Sequence, residues 1–71
     1  MDTEIFTLSG DFIELIKLLK LLSIAESGSH AKYLVEEGEV TLNREVEYRK
    51  RAKLRKGDVV EVMGRRIEIV S

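Results

Sequence analysis

The sequence predicts one small α+β domain, because strand-like segments open and close the chain and two helix-like segments lie between them. Apolar residues recur at helical spacing up to Gly38 and at a period of two after it. The 71 residues contain no cysteine and no proline, so neither a disulfide framework nor a proline-rich linker is available. We therefore expect a single domain over residues 1–71, with the order strand, helix, helix and then four strands, held together by packing alone.

The first strand is predicted over residues 3–8, which are rich in β-forming side chains. Asp11 is a suitable cap for the first helix, with Glu14 three residues later, and the run to Leu22 has polar side chains only at positions 14, 17 and 20. So wide an apolar surface predicts a helix packed between the sheet and the second helix. A face that binds a partner protein is the alternative.

The second helix is predicted over residues 28–37. Ser27 is a favourable N-cap, and Gly38 can supply the left-handed residue that ends a helix. Its apolar side chains recur at helical spacing, so we expect a short amphipathic helix.

Two hairpins are predicted in the second half of the chain. Alternation of apolar and polar residues on both sides of Asn43-Arg44 predicts the first hairpin. Residues 58–63 and 66–70 predict the second, joined by a two-residue loop at Gly64-Arg65 with glycine in its first position.

Positive charge is concentrated in one segment, although the net charge of the chain is −1. Residues 1–43 carry three lysines against eight acidic residues, and residues 57–71 carry two arginines against three acidic residues. Residues 44–56 carry seven basic residues against two acidic ones, a net charge of +5. This segregation predicts a surface for a polyanion, whereas charges that only confer solubility normally mix both signs.

Several short motifs between Leu15 and Val62 carry a family resemblance. They are Ser27 with Ala31 and Lys32, the run from Glu37 to Asn43, Val46, and the run from Lys56 to Val62. In combination they resemble the RNA-binding domain named after ribosomal protein S4, also called the alpha-L motif. Residues 47–54 are similar to the stand-alone bacterial members of the YbcJ and YaaA type. The resemblance implies an alpha-L fold that binds structured RNA, ribosomal or ribosome-associated, without catalysis.

In that family the second helix and the following hairpin present basic side chains to RNA, which implicates Lys32 and the edge at Asn43-Arg44. For Lys32, an ion pair with Glu36 one turn later is the equally weighted alternative. Arg44 stands where a glycine is common in the turn, and arginine is less comfortable at positive φ.

The basic run itself predicts how phosphates are contacted. If residues 49–55 are extended, the cations at alternate positions form a row with a spacing of about 6.6 Å, while Ala52 and Leu54 face the protein. These cations are Arg49, Arg51, Lys53 and Arg55. Such a row can meet several phosphates, and arginine adds planar, multi-donor contacts. The predicted RNA-binding residues are Lys32, Arg44, Arg49, Lys50, Arg51, Lys53, Arg55 and Lys56.

The aromatic residues give a weaker signal. Tyr33 and Tyr48 do not form the platform on which single-strand binders stack bases, so we assign them to packing, and we interpret His30 as solvated. Structured RNA, which is recognised largely by shape and backbone, is therefore preferred over single strands.

Other function classes are disfavoured by what the chain lacks. A single histidine without cysteines does not predict a zinc site, and no phosphate-binding loop ends in Gly-Lys-Ser/Thr. We expect no enzyme, no cofactor and no small-molecule substrate. The charged residues within the apolar run 12–22 argue against a membrane span, and the lack of cysteine fits a reducing compartment. We therefore expect a cytoplasmic protein, and we expect it to be a monomer. The alternative function is a protein-interaction adaptor that uses the apolar first helix.

Overall fold

The computed structural model describes residues 3–71. Two helices and seven strands follow one another along this part of the chain. They are β1 (Thr3–Thr7), β2 (Ile13–Glu14), α1 (Leu15–Leu21), α2 (Gly28–Glu36), β3 (Val40–Leu42), β4 (Glu45–Val46), β5 (Lys53–Leu54), β6 (Val59–Val62) and β7 (Arg65–Val70).

Five of the strands form one mixed sheet in the order β1-β7-β6-β3-β4. β1 runs parallel to β7, with Thr3 beside Arg66, and the other neighbours are antiparallel. The remaining strands, β2 and β5, pair with each other in a separate two-stranded sheet. The predicted α+β class is confirmed, but β2 and β5 are elements that the sequence did not indicate.

The core is formed by one cluster of aliphatic side chains from both helices and from the strands. Leu15, Leu18 and Leu19 of α1 are fully buried, as are Val60 and Ile67 of the sheet. The apolar surface of α1 is therefore used inside the domain. No polar or charged side chain of residues 3–71 is buried with them.

Helix α2 confirms its predicted signals. The hydroxyl of Ser27 accepts a hydrogen bond of 3.1 Å from the backbone N–H of His30, and Gly38 has a φ of +76° just beyond the helix. The imidazole of His30 is also engaged, because its Nδ1 accepts from the N–H of Glu26 at 3.1 Å. His30 is thus part of the helix start, and the interpretation that it is merely solvated is wrong.

The predicted start of the first helix is wrong. α1 begins at Leu15, and neither Asp11 nor Glu14 caps it with a side chain. The backbone N–H groups of Leu15 and Ile16 donate instead to the carbonyls of Ala52 (2.9 Å) and Lys50 (3.1 Å). The orphan donors of a helix start are here satisfied by a distant segment, so no cap from the helix's own side chains is needed.

Both hairpins turn through two residues with positive φ. The first turn lies at Asn43-Arg44 as predicted, with φ values of +52° and +73°. The second lies at Met63-Gly64, one residue earlier than predicted, because Val62 already pairs with Arg65. Positive φ at both central residues is the geometry that matches the twist of paired strands.

The predicted packing of the tyrosines is only partly correct. Tyr48 lies beyond the end of β4 and is largely exposed. Its hydroxyl oxygen lies over Gly38, 3.3 Å from the position that a β-carbon of residue 38 would occupy. Tyr33 is exposed on α2.

Candidate nucleic-acid interface

Residues 44–56, called the basic segment below, are held against the protein by their apolar side chains and by their backbone. Leu54 is fully buried and Ala52 is nearly so, as predicted. Leu54 pairs with Ile13, and the carbonyls of Lys50 and Ala52 accept from the start of α1. The segment therefore has a defined backbone although only four of its residues are in strands.

The prediction that residues 49–55 are continuously extended is wrong. The N–H of Ala52 donates to the carbonyl of Arg49 at 3.0 Å, which closes a turn between them. This turn directs the carbonyls of Lys50 and Ala52 towards the start of α1. The single row of four cations is therefore divided, with Arg49 and Arg51 in or beside the turn and Lys53 and Arg55 on either side of the buried Leu54.

Arg49 is paired within the protein. Its Nε and Nη2 donate to the carboxylate of Glu47 at 3.0 and 3.1 Å, and its backbone N–H donates to the same group at 2.9 Å. These hydrogen bonds lower the pKa of Glu47 and raise the pKa of Arg49. The guanidinium remains largely exposed, but its charge is offset by an adjacent carboxylate.

The other six cations of the basic segment form no ion pair with an acidic residue of the part of the chain described. All are exposed except Lys50, which is half-buried. These free cations are Arg44, Lys50, Arg51, Lys53, Arg55 and Lys56.

A hydrogen-bonded network joins the two turns that carry Arg44 and Lys56. Asp58 accepts from the backbone N–H of Arg55 at 2.8 Å and from the side chain of Asn43 at 3.1 Å. The side-chain oxygen of Asn43 in turn accepts from the N–H of Val59 at 2.9 Å. The network fixes the end of the basic segment to the first hairpin turn.

Arg44 and Lys32 lie apart from the centre of the basic segment. The side chain of Arg44 borders a depression on the open side of the five-stranded sheet, which is also lined by Glu61 and Glu68. Lys32 is exposed on α2, and within residues 3–71 no hydrogen bond or ion pair joins it to the basic segment or to Glu36. Lys32 therefore lies on a different element from the cations of residues 50–56, which are neighbours in the sequence.

Phe12 is also part of this surface, although no signal in the sequence indicated it. Its ring lies beneath Lys53, whose Nζ is 4.8 Å from the ring centroid, and beneath Arg55, whose Cζ is 5.5 Å from it. Both distances are within the range of cation–π attraction. Only the pairing of β2 with β5 creates this contact, and two-residue strands have no periodicity from which it could be predicted.

The two arginines outside the basic segment are engaged in structural contacts. Arg65 donates to both oxygens of Glu4 at 2.6 and 2.7 Å and to the carbonyl of Leu22 at 3.3 Å. These hydrogen bonds lower the pKa of Glu4 and raise the pKa of Arg65. Arg66 lies 3.4 Å from Glu61, its cross-strand neighbour.

Neither a metal site nor a membrane span is found in the described part of the chain. No group of three or more histidine, cysteine or acidic side chains is arranged to hold a metal ion within residues 3–71. Of the helices in that range, none has the length and apolar character needed to cross a bilayer.

Comparison with known proteins identifies relatives over nearly the whole chain. The family model described as S4 domain matches residues 6–70. YbcJ of Escherichia coli (strain K12) is 41% identical over 59 residues, which is 83% of this chain and 84% of YbcJ. The "Probable ribosome maturation protein RlbA" of Bacillus subtilis (strain 168) is 44% identical over 64 residues, which is 90% of this chain and 80% of RlbA.

The fold also matches a solved structure. The solution structure of YbcJ from E. coli superimposes with a TM-score of 0.73 at 36% sequence identity, over 100% of this chain and 91% of YbcJ. That structure is described as revealing an alpha-L motif involved in RNA binding. The predicted alpha-L architecture is thereby confirmed.

Proposed function

The chain belongs to the S4 domain family, and we propose that it binds structured RNA through the basic segment without catalysing a reaction. The observation that carries this proposal is the set of six free cations on a backbone that is anchored at its middle and at its end. The proposed binding residues are Lys32, Arg44, Arg49, Lys50, Arg51, Lys53, Arg55 and Lys56.

The anchoring matters because a fixed surface loses less conformational entropy on binding than a flexible loop. β5 and the carbonyl contacts to α1 hold the middle of the segment, and Asp58 holds its end. Free guanidinium and ammonium groups on such a frame release counterions from several phosphates at once. Arg49 contributes less to the proposed surface, because Glu47 offsets its charge.

Structured RNA is the proposed ligand class because the surface supplies charge and shape but few groups that read base edges. The relatives support this choice, since the YbcJ structure is described as containing a motif involved in RNA binding and RlbA is named for ribosome maturation. We therefore propose ribosomal or ribosome-associated RNA, bound by a cytoplasmic monomer. The adaptor alternative loses most of its motivation, because three of the four leucines of α1, Leu15, Leu18 and Leu19, are fully buried in the core and only Leu21 is exposed.

The proposal is tested by reversing three free cations together, Arg51→Glu, Lys53→Glu and Arg55→Glu. Affinity for a ribosomal RNA fragment, measured by fluorescence anisotropy, should fall by about 100-fold or more, because several phosphate contacts are lost and repulsion is added. The far-ultraviolet circular dichroism spectrum should not change, since all three side chains are exposed.

A second triple variant provides the matched control. Arg51→Lys, Lys53→Arg and Arg55→Lys keep every charge and should retain most of the affinity. Equal affinity of the charge-reversed protein and the original one would refute the proposed surface.

A further inference from the structure

We propose that Phe12, framed by Lys53 and Arg55, is a stacking site for one unpaired RNA base. The inference rests on the proposed function and deepens it, because it specifies an RNA helix interrupted by an unpaired nucleotide as the ligand. No aromatic residue was among the binding residues expected from the sequence.

The ring of Phe12 is positioned by backbone pairing. Ile13 pairs with Leu54 in the two-stranded sheet, which places the preceding Phe12 beside Arg55 and diagonal to Lys53. Both cations lie within 6 Å of the ring centroid, at 4.8 and 5.5 Å. Phe12 is therefore an integral part of the cationic surface.

Apolar surface of Phe12 remains available after these contacts. The residue is 41% exposed, whereas Ile13 beside it is 8% exposed and belongs to the core. An exposed aromatic face is a suitable platform for any nucleobase, because every base has a π-face. A base that stacks there would displace the exposed, flexible side chains of Lys53 and Arg55 from over the ring, and their charges would then be available to its flanking phosphates.

A cleft beside the ring supports the same occupant. It is lined by the apolar residues Phe6, Leu8, Ile13 and Leu21 together with Phe12, and by the polar residues Ser9 and Lys17. A cleft that mixes apolar and polar lining and includes a cation fits a base, which is apolar on its faces, polar on its edges and linked to an anionic backbone. Lys17 lies outside the basic segment and would extend the binding surface onto α1.

Charge favours a nucleic acid over an apolar peptide as the occupant. Two cations, Lys53 and Arg55, lie over the ring. The neighbouring depression that Phe12 lines also contains Lys17 and the half-buried Glu14. The other two exposed aromatic residues differ. Within residues 3–71, neither Tyr33 nor Tyr48 has a cation over its ring.

The test compares two RNA hairpins with the same stem, one fully paired and one with a single bulged 2-aminopurine. The intact protein should bind the bulged hairpin more tightly and should quench 2-aminopurine fluorescence, because stacking on an aromatic ring quenches that base. Phe12→Leu keeps an apolar side chain but removes the π-face. It should weaken binding to the bulged hairpin by about five- to a hundredfold and abolish the quenching, with little effect on the paired hairpin.

Tyr33→Leu is the matched control, since it removes an exposed aromatic ring that has no cation over it. It should leave the preference for the bulged hairpin unchanged. Equal affinity of the original protein for both hairpins, or a preference and quenching that survive Phe12→Leu, would overturn the stacking site while leaving RNA binding intact. Failure to bind either hairpin under conditions where ribosomal RNA fragments also fail would instead refute the proposed function.

An apolar peptide that competes with the bulged hairpin only when Phe12 is present would also overturn the assignment of the occupant. Circular dichroism and thermal unfolding of Phe12→Leu establish that the variant is folded, so that a loss of binding can be assigned to the missing ring.

Discussion

Arginine has two different roles in this protein, and the basic segment and strand β7 illustrate them. In the basic segment, six of the seven cations have no acidic partner in the described structure. In β7, Arg65 and Arg66 are both paired, with Glu4 and Glu61. Pairing with a neighbouring carboxylate, rather than the number of arginines, therefore decides which cations are available to a ligand.

Sheet topology explains the difference. β7 lies between β1 and β6, and each of these neighbours supplies a glutamate to an arginine at the start of β7. β5 has only β2 beside it, a two-residue strand whose one acidic residue is Glu14, opposite Lys53. Glu14 forms no ion pair within the described residues, so the cations around β5 remain unpaired, whereas the arginines of β7 pair with glutamates of the neighbouring strands.

The largest expected effect is the response of RNA binding to salt. If about six phosphates are neutralised, affinity should fall by about two to three orders of magnitude between 50 and 200 mM salt. Arg51→Gln should reduce the slope of log K against log[salt] by about 0.7–0.9, the share of one phosphate. Arg65→Gln should leave the slope unchanged but lower the Tm, because it removes the contacts to Glu4 and Leu22. Equal slopes for the two variants would contradict the distinction between the free Arg51 and the paired Arg65.

A smaller effect is expected at Arg44, where binding and stability oppose each other. Arg44 has a φ of +73°, and the equivalent position of the other hairpin turn is Gly64 with a φ of +76°. Arg44→Gly should raise the free energy of unfolding by about 1 kcal/mol in chemical denaturation, because glycine adopts this conformation without strain. It should also weaken RNA binding.

Arg44→Gln separates these two contributions. It removes the charge but keeps the β-carbon, so it should weaken RNA binding to the same extent without the gain in stability. If the glycine variant is no more stable than the glutamine variant, the backbone strain assigned to Arg44 is incorrect.

The smallest expected effect is the acid sensitivity of the Glu4–Arg65 pair. Hydrogen bonding to Arg65 lowers the pKa of Glu4 in the folded state below the ordinary value of 4.5. The stabilisation is therefore fully present above about pH 4.5 and is lost as the pH falls through the lowered pKa. The difference in Tm between the original protein and Glu4→Gln should be positive at pH 7 and should shrink below pH 4.5. A difference that does not change with pH would show that the ion pair contributes nothing.

Local signals in the sequence predicted α2 and most of the five-stranded sheet. Ser27 and Gly38 mark the ends of α2 because capping depends on neighbouring residues. The alternation around Asn43-Arg44 predicted the first hairpin for the same reason. The burial of Ala52 and Leu54 was also predicted correctly, although the chain turns at Arg49–Ala52 and only residues 53 and 54 form β5.

The errors arose where distant backbone groups replace local ones. Asp11 does not cap α1, because the carbonyls of Lys50 and Ala52 accept from the first N–H groups of the helix. No side-chain pattern encodes such a contact between backbone atoms. The same contact turns the chain at Arg49–Ala52 and so divides the predicted row of cations.

The joint between α1 and the basic segment has a consequence for spectroscopy. The amide protons of Leu15 and Ile16 point at carbonyls of the segment rather than at carbonyls of their own helix. Their exchange with deuterated solvent requires the segment to detach, so it reports local opening of this joint. A ligand that clamps residues 50–52 should slow the exchange of these two amides, and nuclear magnetic resonance could then follow occupancy of the surface from atoms that the ligand does not touch.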